Sequence, residues 1–139
     1  MAFPLAIDTL ESMLETTHGK DLSQPFLQVL AEEAKGITEA ARLISPHLIS
    51  SAVMDAKRCI QRNGKLFVTG IGKNGFVAQK CAATLASLGL PGFFLDPIGG
   101  LHGDLGRVSR GDILLALSKS GETTELLGLL KALKSKLAM

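Results

Sequence analysis

The stretch KLFVTGIGKNG, residues 65–75, decides the fold. An apolar run with β-branched residues leads into a glycine turn, and a helical pattern of apolar residues follows the turn. This order predicts a buried strand over residues 66–69 and a helix over residues 74–88. The glycines between them predict a tight loop where the strand ends.

The same order of elements recurs downstream. Short strands are predicted at residues 92–95 and 113–117, and a further helix at residues 122–136. Between them, residues 96–109 are rich in glycine and are expected to form a long loop. Strands that alternate with helices predict βαβ units, so we expect an α/β fold: a three-layer α/β/α open parallel sheet of the flavodoxin-like kind.

The chain before residue 65 has a helical pattern throughout. Helices are predicted over residues 5–18 and 25–44, and a third begins with the Ser45-Pro46 capping pair and stops at Asn63-Gly64. We therefore expect residues 1–45 to be N-terminal helices that form a single compact unit with residues 46–139. Because open doubly wound sheets usually have about five strands, we expect the chain to be a truncated part of a longer domain.

Composition excludes several classes of function. The chain has 139 residues, of which 46% are hydrophobic, and a formal charge of +2, which is too small to indicate a nucleic-acid partner. It has no apolar run of about 18 residues and no visible signal peptide, so we expect a cytoplasmic protein without a membrane partner. Cys59 and Cys81 lie in apolar helical patterns, which favours buried thiols over a disulfide or a metal pair. We expect no metal and no cofactor.

The glycine loop after the first strand has two interpretations. Gly70–Gly75 matches G-x-G-x-x-G, and Asp96 is at about the distance at which a dinucleotide site would place its acidic residue. Lys73 within the motif and Pro97 directly after Asp96 count against that interpretation. A glycine turn that packs a helix on its strand explains the glycines, but it does not explain Lys73. A lysine at a helix N-terminus suits an anionic or enediolate oxygen.

The second loop, SKSGETT, is the stronger signal. Ser118 and Ser120 follow a predicted buried strand, and threonines open the next helix. Hydroxyls beside the N–H groups of a helix's first turn can bind a phosphate. Simple capping, with Ser120 as N-cap and Thr123 in the first turn, is the alternative. Glu125, one turn into the helix, is either a helix-dipole partner or a base that reaches a ligand.

Together these motifs resemble the sugar isomerase (SIS) domain family, and most closely its arabinose 5-phosphate isomerases. The similar pieces are GIGKNG, AQKCAATLASLG, HGDLG at residues 102–106, and SKSGETTE at residues 118–125, over about residues 25–139. The resemblance implies a five-stranded parallel sheet, of which this chain has the N-terminal part. It also implies a homo-oligomer, a dimer or tetramer, that interconverts D-ribulose 5-phosphate and D-arabinose 5-phosphate for Kdo and lipopolysaccharide synthesis.

The resemblance also implies roles for individual residues. Lys73 and Glu125 would be catalytic and His102 would contact the sugar. The remaining substrate-binding residues would be a phosphate-binding set and a pair at the end of the second helix: Ser118, Ser120 and Thr123, then Gly89 and Leu90.

The sequence departs from the family pattern at Gly99, where relatives commonly carry glutamate, and at Asp96, where a metal-contacting histidine can occur. It also ends before the remaining strands, which bring a further catalytic glutamate and histidine. The alternative to an isomerase is therefore a non-catalytic SIS module that binds a sugar phosphate.

Overall fold

The computed structural model describes residues 23–138, so the helix predicted over residues 5–18 lies outside the described residues. The first two described helices are α1, Ser23–Leu43, and α2, Pro46–Gln61. Both helices are confirmed, and each begins within two residues of the start that the apolar periodicity predicts. The chain divides into two compact units between Pro46 and His47.

The first unit contributes the amphipathic helix α1. None of its 21 residues is buried. Its large apolar side chains are all at least half exposed: Phe26, Leu27, Val29, Leu30, Ile37 and Leu43. Part of this helix surface is an open groove that includes Val29, Gly36 and Ile37.

The second unit is built on a parallel sheet of three strands. The strands are β1, Leu66–Gly70, β2, Gly92–Phe94, and β3, Ile113–Leu117, and their spatial order is β2-β1-β3. Phe67 in the central strand pairs with Phe93 on one side and with Leu114 on the other. All three predicted strands are confirmed, and so is their parallel direction.

Two helices cover the opposite faces of the sheet. They are α3, Lys73–Ser87, and α5, Thr124–Ala138. Val68 packs with Ala78 and Ala82 of α3, whereas Phe67 packs with Leu129 and Leu133 of α5. Since successive strand residues point to opposite faces, the two helices lie on opposite sides. The predicted three-layer α/β/α architecture is therefore confirmed.

The prediction of one long loop over residues 96–109 was wrong. The segment contains a short helix α4, Pro97–Leu101, and a 3₁₀ helix, Asp104–Arg107. The Asp96 carboxylate caps α4 by accepting a hydrogen bond from the Gly99 N–H at 2.6 Å, and Pro97 occupies the first turn. An aspartate followed by proline is a helix-start signal, and the glycines after it concealed the helix.

The amino ends of β1 and β3 are tied together by Asp112. Its carboxylate accepts hydrogen bonds from the N–H groups of Lys65 and Ser109, both at 2.8 Å.

Nearby, the buried Cys59 donates from Sγ to the Lys65 carbonyl at 3.4 Å. Burial raises the pKa of the Cys59 thiol above its usual value, and the Asp112 charge adds to the increase. Cys59 and Cys81 are both free thiols.

No helix among the described residues is long and apolar enough to span a membrane.

The start of α3 packs against the end of β1 with no room for a side chain at Gly70. A Cβ atom built on Gly70 would lie 2.6 Å from the carbonyl oxygen of Asn74. Backbone atoms in a packed helix turn cannot move away cheaply, so the glycine is required here by the close approach of the two backbones.

The substitution Gly70→Ala is expected to lower the free energy of unfolding by about 1–3 kcal/mol, because overpacking must displace the helix start. Urea denaturation measures it. Gly106→Ala is the matched control, since a Cβ there meets no atom within 4 Å. Equal stability of the Gly70→Ala variant and the original chain would show that the two backbones are not tightly packed.

Candidate functional site

The sheet order places a crevice between the loops that follow β1 and β3. From β1 the chain moves to one side to form β2 and then returns across β1 to form β3. In open α/β sheets, ligands bind outside the carboxyl ends of the strands where the order reverses in this way. Gly70 pairs with Leu117, so the loops beginning at Ile71 and Ser118 start side by side, about 5 Å apart.

The first wall of this crevice is the turn from β1 into α3. Gly72 has φ 58°, a left-handed conformation that favours glycine, and Lys73 is the first residue of the helix. The Gly72 carbonyl accepts hydrogen bonds from the N–H groups of Gly75 and Phe76. The Lys73 side chain is exposed and forms no salt bridge with any other described residue. An ammonium group thus stands at the positive end of a helix, where an anion is favoured.

The second wall is the serine loop, Ser118 to Thr123. Ser118 Oγ accepts a hydrogen bond from the Gly121 N–H at 3.0 Å and lies 3.1 Å from Thr123 Oγ1. Ser120 Oγ accepts from the Glu122 N–H at 3.1 Å. The loop therefore holds its own hydroxyl groups in place. Gly121 has φ 73°, a left-handed conformation that favours glycine and allows the loop to turn.

The alternative in which Ser120 caps α5 was wrong. The helix begins at Thr124, two residues later than the sequence indicated, and the Thr123 carbonyl accepts the first helical hydrogen bond, from the Leu127 N–H at 3.0 Å. Thr123 is thus the N-cap residue. Because a serine oxygen that accepts one hydrogen bond still has its proton to donate, Ser120 retains a donor for an anion. In the Ser118–Thr123 pair either hydroxyl can donate to the other, so the pair retains one free hydroxyl proton.

Glu125 is the second residue of α5, and its side chain is exposed. Since α3 and α5 cover opposite faces of the sheet, Lys73 and Glu125 stand at the amino ends of two helices that flank the same crevice. A carboxylate and an ammonium on opposite walls can act on one ligand from two sides.

His102 lies on the segment that follows β2. It ends α4, its N–H donates to the carbonyls of Ile98 and Gly99, and its side chain is exposed. The next residue, Gly103, has φ 132° and turns the chain into the 3₁₀ helix. The histidine therefore lies at the joint between two short helices.

Gly89 and Leu90 lie at the amino edge of the sheet, opposite the carboxyl edge that carries the crevice. They follow the end of α3, with the Gly89 N–H donating to the Ala86 carbonyl and the Leu90 N–H to the Leu85 carbonyl. The adjacent Pro91 carbonyl accepts from the N–H of Leu66, the first residue of β1. Within one chain the structure does not bring this pair together with Lys73, and its substrate role stays a prediction.

A buried hydroxyl at the end of β1 was missed from the sequence. Thr69 is fully buried, and its Oγ1 has no hydrogen-bond partner among the described residues. It pairs with Ala116 and directly precedes the glycine loop. The only signal was one polar residue in an otherwise apolar strand.

Two carboxylates surround Gly99. A Cβ atom built there would lie 3.0 Å from Asp104 Oδ2 and 3.2 Å from Asp96 Oδ2. A longer acidic side chain at this position would face two existing negative charges, so glycine suits this chain. Among the described residues, no group of three or more His, Cys, Asp or Glu side chains is placed to hold a metal ion.

A groove of about 650 Å³ lies elsewhere, between α2 and β3, with Cys59, Ile113 and Leu115 in its lining. Its lining includes Arg58, but the guanidinium is paired with Asp55 at 2.7 Å. The groove lacks the convergent hydroxyl and N–H donors of the serine loop. We therefore place the candidate site at the crevice.

Comparison with known proteins gives the family. Residues 59–139 match the SIS domain family, which is more than half of the chain. The chain belongs to the SIS domain family.

Its relatives in this family include proteins named as arabinose 5-phosphate isomerases. The chain is 41% identical over 123 residues to the arabinose 5-phosphate isomerase KdsD of Yersinia pestis and 37% identical over 123 residues to that of Shigella flexneri. Both matches cover 88% of this chain and 36% of the relative, so the chain spans about a third of their length.

A solved structure supports the same grouping. The E. coli CFT073 protein c3406, determined in complex with arabinose 5-phosphate, superposes with a TM-score of 0.74 at 36% sequence identity. The match covers 84% of this chain and 60% of that protein. The predicted membership of the SIS family, and the likeness to the N-terminal part of an arabinose 5-phosphate isomerase, are confirmed.

The serine loop should lose its shape when its central acceptor is removed. Ser118→Ala leaves the Gly121 N–H and Thr123 Oγ1 without this partner. The free energy of unfolding is therefore expected to fall by about 1 kcal/mol, measured by urea denaturation. The exposed Ser109, whose side chain forms no hydrogen bond with another described residue, supplies the control Ser109→Ala. A Ser118→Ala variant as stable as the control would show that the serine loop is not held by its own hydroxyls.

Proposed function

We propose that this chain forms part of an aldose–ketose isomerase that interconverts D-ribulose 5-phosphate and D-arabinose 5-phosphate. One observation carries the proposal: the serine loop at the start of α5 faces the Gly72-Lys73 turn across the reversal point of the sheet. A hydroxyl-rich anion site and a cation on opposite walls suit a ligand with a phosphate at one end and reacting oxygens at the other.

The phosphate would bind at the serine loop. Ser120 keeps its hydroxyl proton to donate, and the hydrogen-bonded pair of Ser118 and Thr123 keeps one between them. The first N–H groups of α5 have no partner within the helix and add donors together with the positive end of the helix dipole. This arrangement holds a dianion without a dedicated arginine.

Glu125 and Lys73 would carry the chemistry. In the open-chain aldose, a base removes the proton from C2, and the electrons form an enediolate across C1 and C2. The hydroxyl proton then passes from O2 to O1, and the proton held by the base returns to C1 to give the ketose. Glu125 would take and return the proton. Lys73, at the positive end of α3, would stabilise the enediolate oxygen. Protons only move within one substrate molecule, so the reaction balances without a cofactor.

The remaining substrate contacts would come from His102 and, in an oligomer, from Gly89 and Leu90 of a neighbouring copy. His102 is exposed and can donate to a sugar hydroxyl. The exposed apolar side chains of α1 support association of copies, because large unpartnered apolar surfaces favour burial.

The relatives support the choice of substrate. Two of them are named arabinose 5-phosphate isomerase KdsD, and a third protein was solved with arabinose 5-phosphate. On this basis we propose that the complete protein acts in the cytoplasm and supplies arabinose 5-phosphate for Kdo and lipopolysaccharide synthesis. A non-catalytic sugar-phosphate module is the second candidate, since phosphate binding alone needs neither Lys73 nor Glu125.

An isomerase assay of the complete protein with D-ribulose 5-phosphate tests the proposal. Lys73→Met is expected to lower kcat by about 100-fold, because the enediolate loses its cation. Lys80→Met is the matched control, since Lys80 lies further along the same helix and is also exposed. Full activity of the Lys73→Met variant would contradict the catalytic role. Binding of the sugar phosphate without turnover by the complete protein would favour the non-catalytic module.

A further inference from the structure

The segment that carries His102 is attached to helix α5 at two points. The first is the contact of α4 with α5. A Cβ atom built on Gly100 would lie 2.5 Å from Cδ1 of the fully buried Leu129, and one built on Gly128 would lie 3.6 Å from Cδ1 of Leu101. Two glycines, one on each helix, thus let α4 lie directly on α5.

The second attachment is Lys136, in the last turn of α5. Its ammonium group donates hydrogen bonds to the carbonyl of Leu105 and, at 2.7 Å, to the carbonyl of Val108. These carbonyls lie at the 3₁₀ helix Asp104–Arg107 and directly after it. Val108 and Leu133 are buried in the same apolar cluster beneath this contact.

Lys65, which directly precedes β1, holds the same turn from another direction. Lys65 Nζ donates to the carbonyl of Arg107 and lies 3.5 Å from Asp112 Oδ2. Lys136 has no such acidic partner among the described residues. Its hydrogen bonds to the Leu105 and Val108 carbonyls are therefore the interactions that fix the position of its ammonium group.

His102 and Gly103 lie between the two attachments. Both are exposed, and Gly103 has φ 132°, a conformation that favours glycine. Fixing α4 alone would leave the far side of this joint free to move. Fixing the 3₁₀ helix as well restricts the backbone of His102 from both sides.

We propose that Lys136 is a positioning residue for His102. By holding the carbonyls of Leu105 and Val108, it fixes the histidine relative to α5, the helix whose amino end carries Glu125 and the serine loop. One helix then sets the spacing between the phosphate site, the base and the sugar contact. This inference rests on the proposed function for its ligand.

Hydrogen exchange of the free chain tests the attachment without any ligand. The Gly106 and Val108 N–H groups donate within the turn, to Gly103 and Leu105. In Lys136→Met their exchange is expected to become about tenfold faster, while the amides of β1 keep their rates. Lys136→Arg should retain protection, and Lys134→Met is the control, because Lys134 is an exposed lysine on the same helix. Unchanged exchange at the turn, or faster exchange throughout the sheet, would overturn the proposal.

Calorimetry with two ligands tests the functional part. In Lys136→Met, the Kd for D-arabinose 5-phosphate is expected to rise about five- to tenfold, whereas the Kd for inorganic phosphate should change less than about twofold. Inorganic phosphate needs only the serine loop, so equal losses for both ligands, or none, would overturn the positioning role. If the original chain binds neither ligand, the proposed function fails, and the hydrogen exchange still decides whether Lys136 holds the turn.

Discussion

The pairing of β1 with β3 is the constraint on which the rest of the structure depends. β1 is buried along its whole length, and its last residue, Gly70, lies opposite Leu117. This register starts the two glycine-containing loops side by side at the carboxyl edge. The absence of a side chain at Gly70 then lets α3 begin directly above the strand. A shift of one residue in register would turn the apolar side chains of β3 to the wrong faces and would separate the two walls of the crevice.

The division of the two faces follows from the same strand. Phe67 faces α5 and Val68 faces α3, so the amino ends of these helices approach the crevice from opposite sides. Helix amino ends attract negative charge, and two of them converge here. The fold thereby supplies a general anion site. In the function that we propose, Lys73, Glu125 and the hydroxyls of the serine loop would suit this site to a sugar phosphate.

Much of this could be predicted from the sequence, because the strands and the long helices have clear apolar periodicities and the motifs have a specific order. The short helix α4 was missed because glycines outweighed the Asp96-Pro97 start signal. The cap of α5 was misplaced because several hydroxyl residues compete for it within one loop. Tertiary contacts between distant residues, such as Lys136 with Leu105 and Val108, leave no local pattern. The separation of Gly89 and Leu90 from Lys73 likewise depends on the direction in which α3 crosses the sheet.

The central claim is that the crevice between the β1 and β3 loops binds the phosphosugar. An NMR titration of the chain with D-arabinose 5-phosphate tests it most directly, by following the backbone amide shifts. We expect the shifts to centre on residues 70–73 and 118–125, with Gly64 and Gly111 at the amino edge unaffected. Shifts centred on the groove lined by Cys59 and Leu115, or no shift at any amide, would contradict the claim.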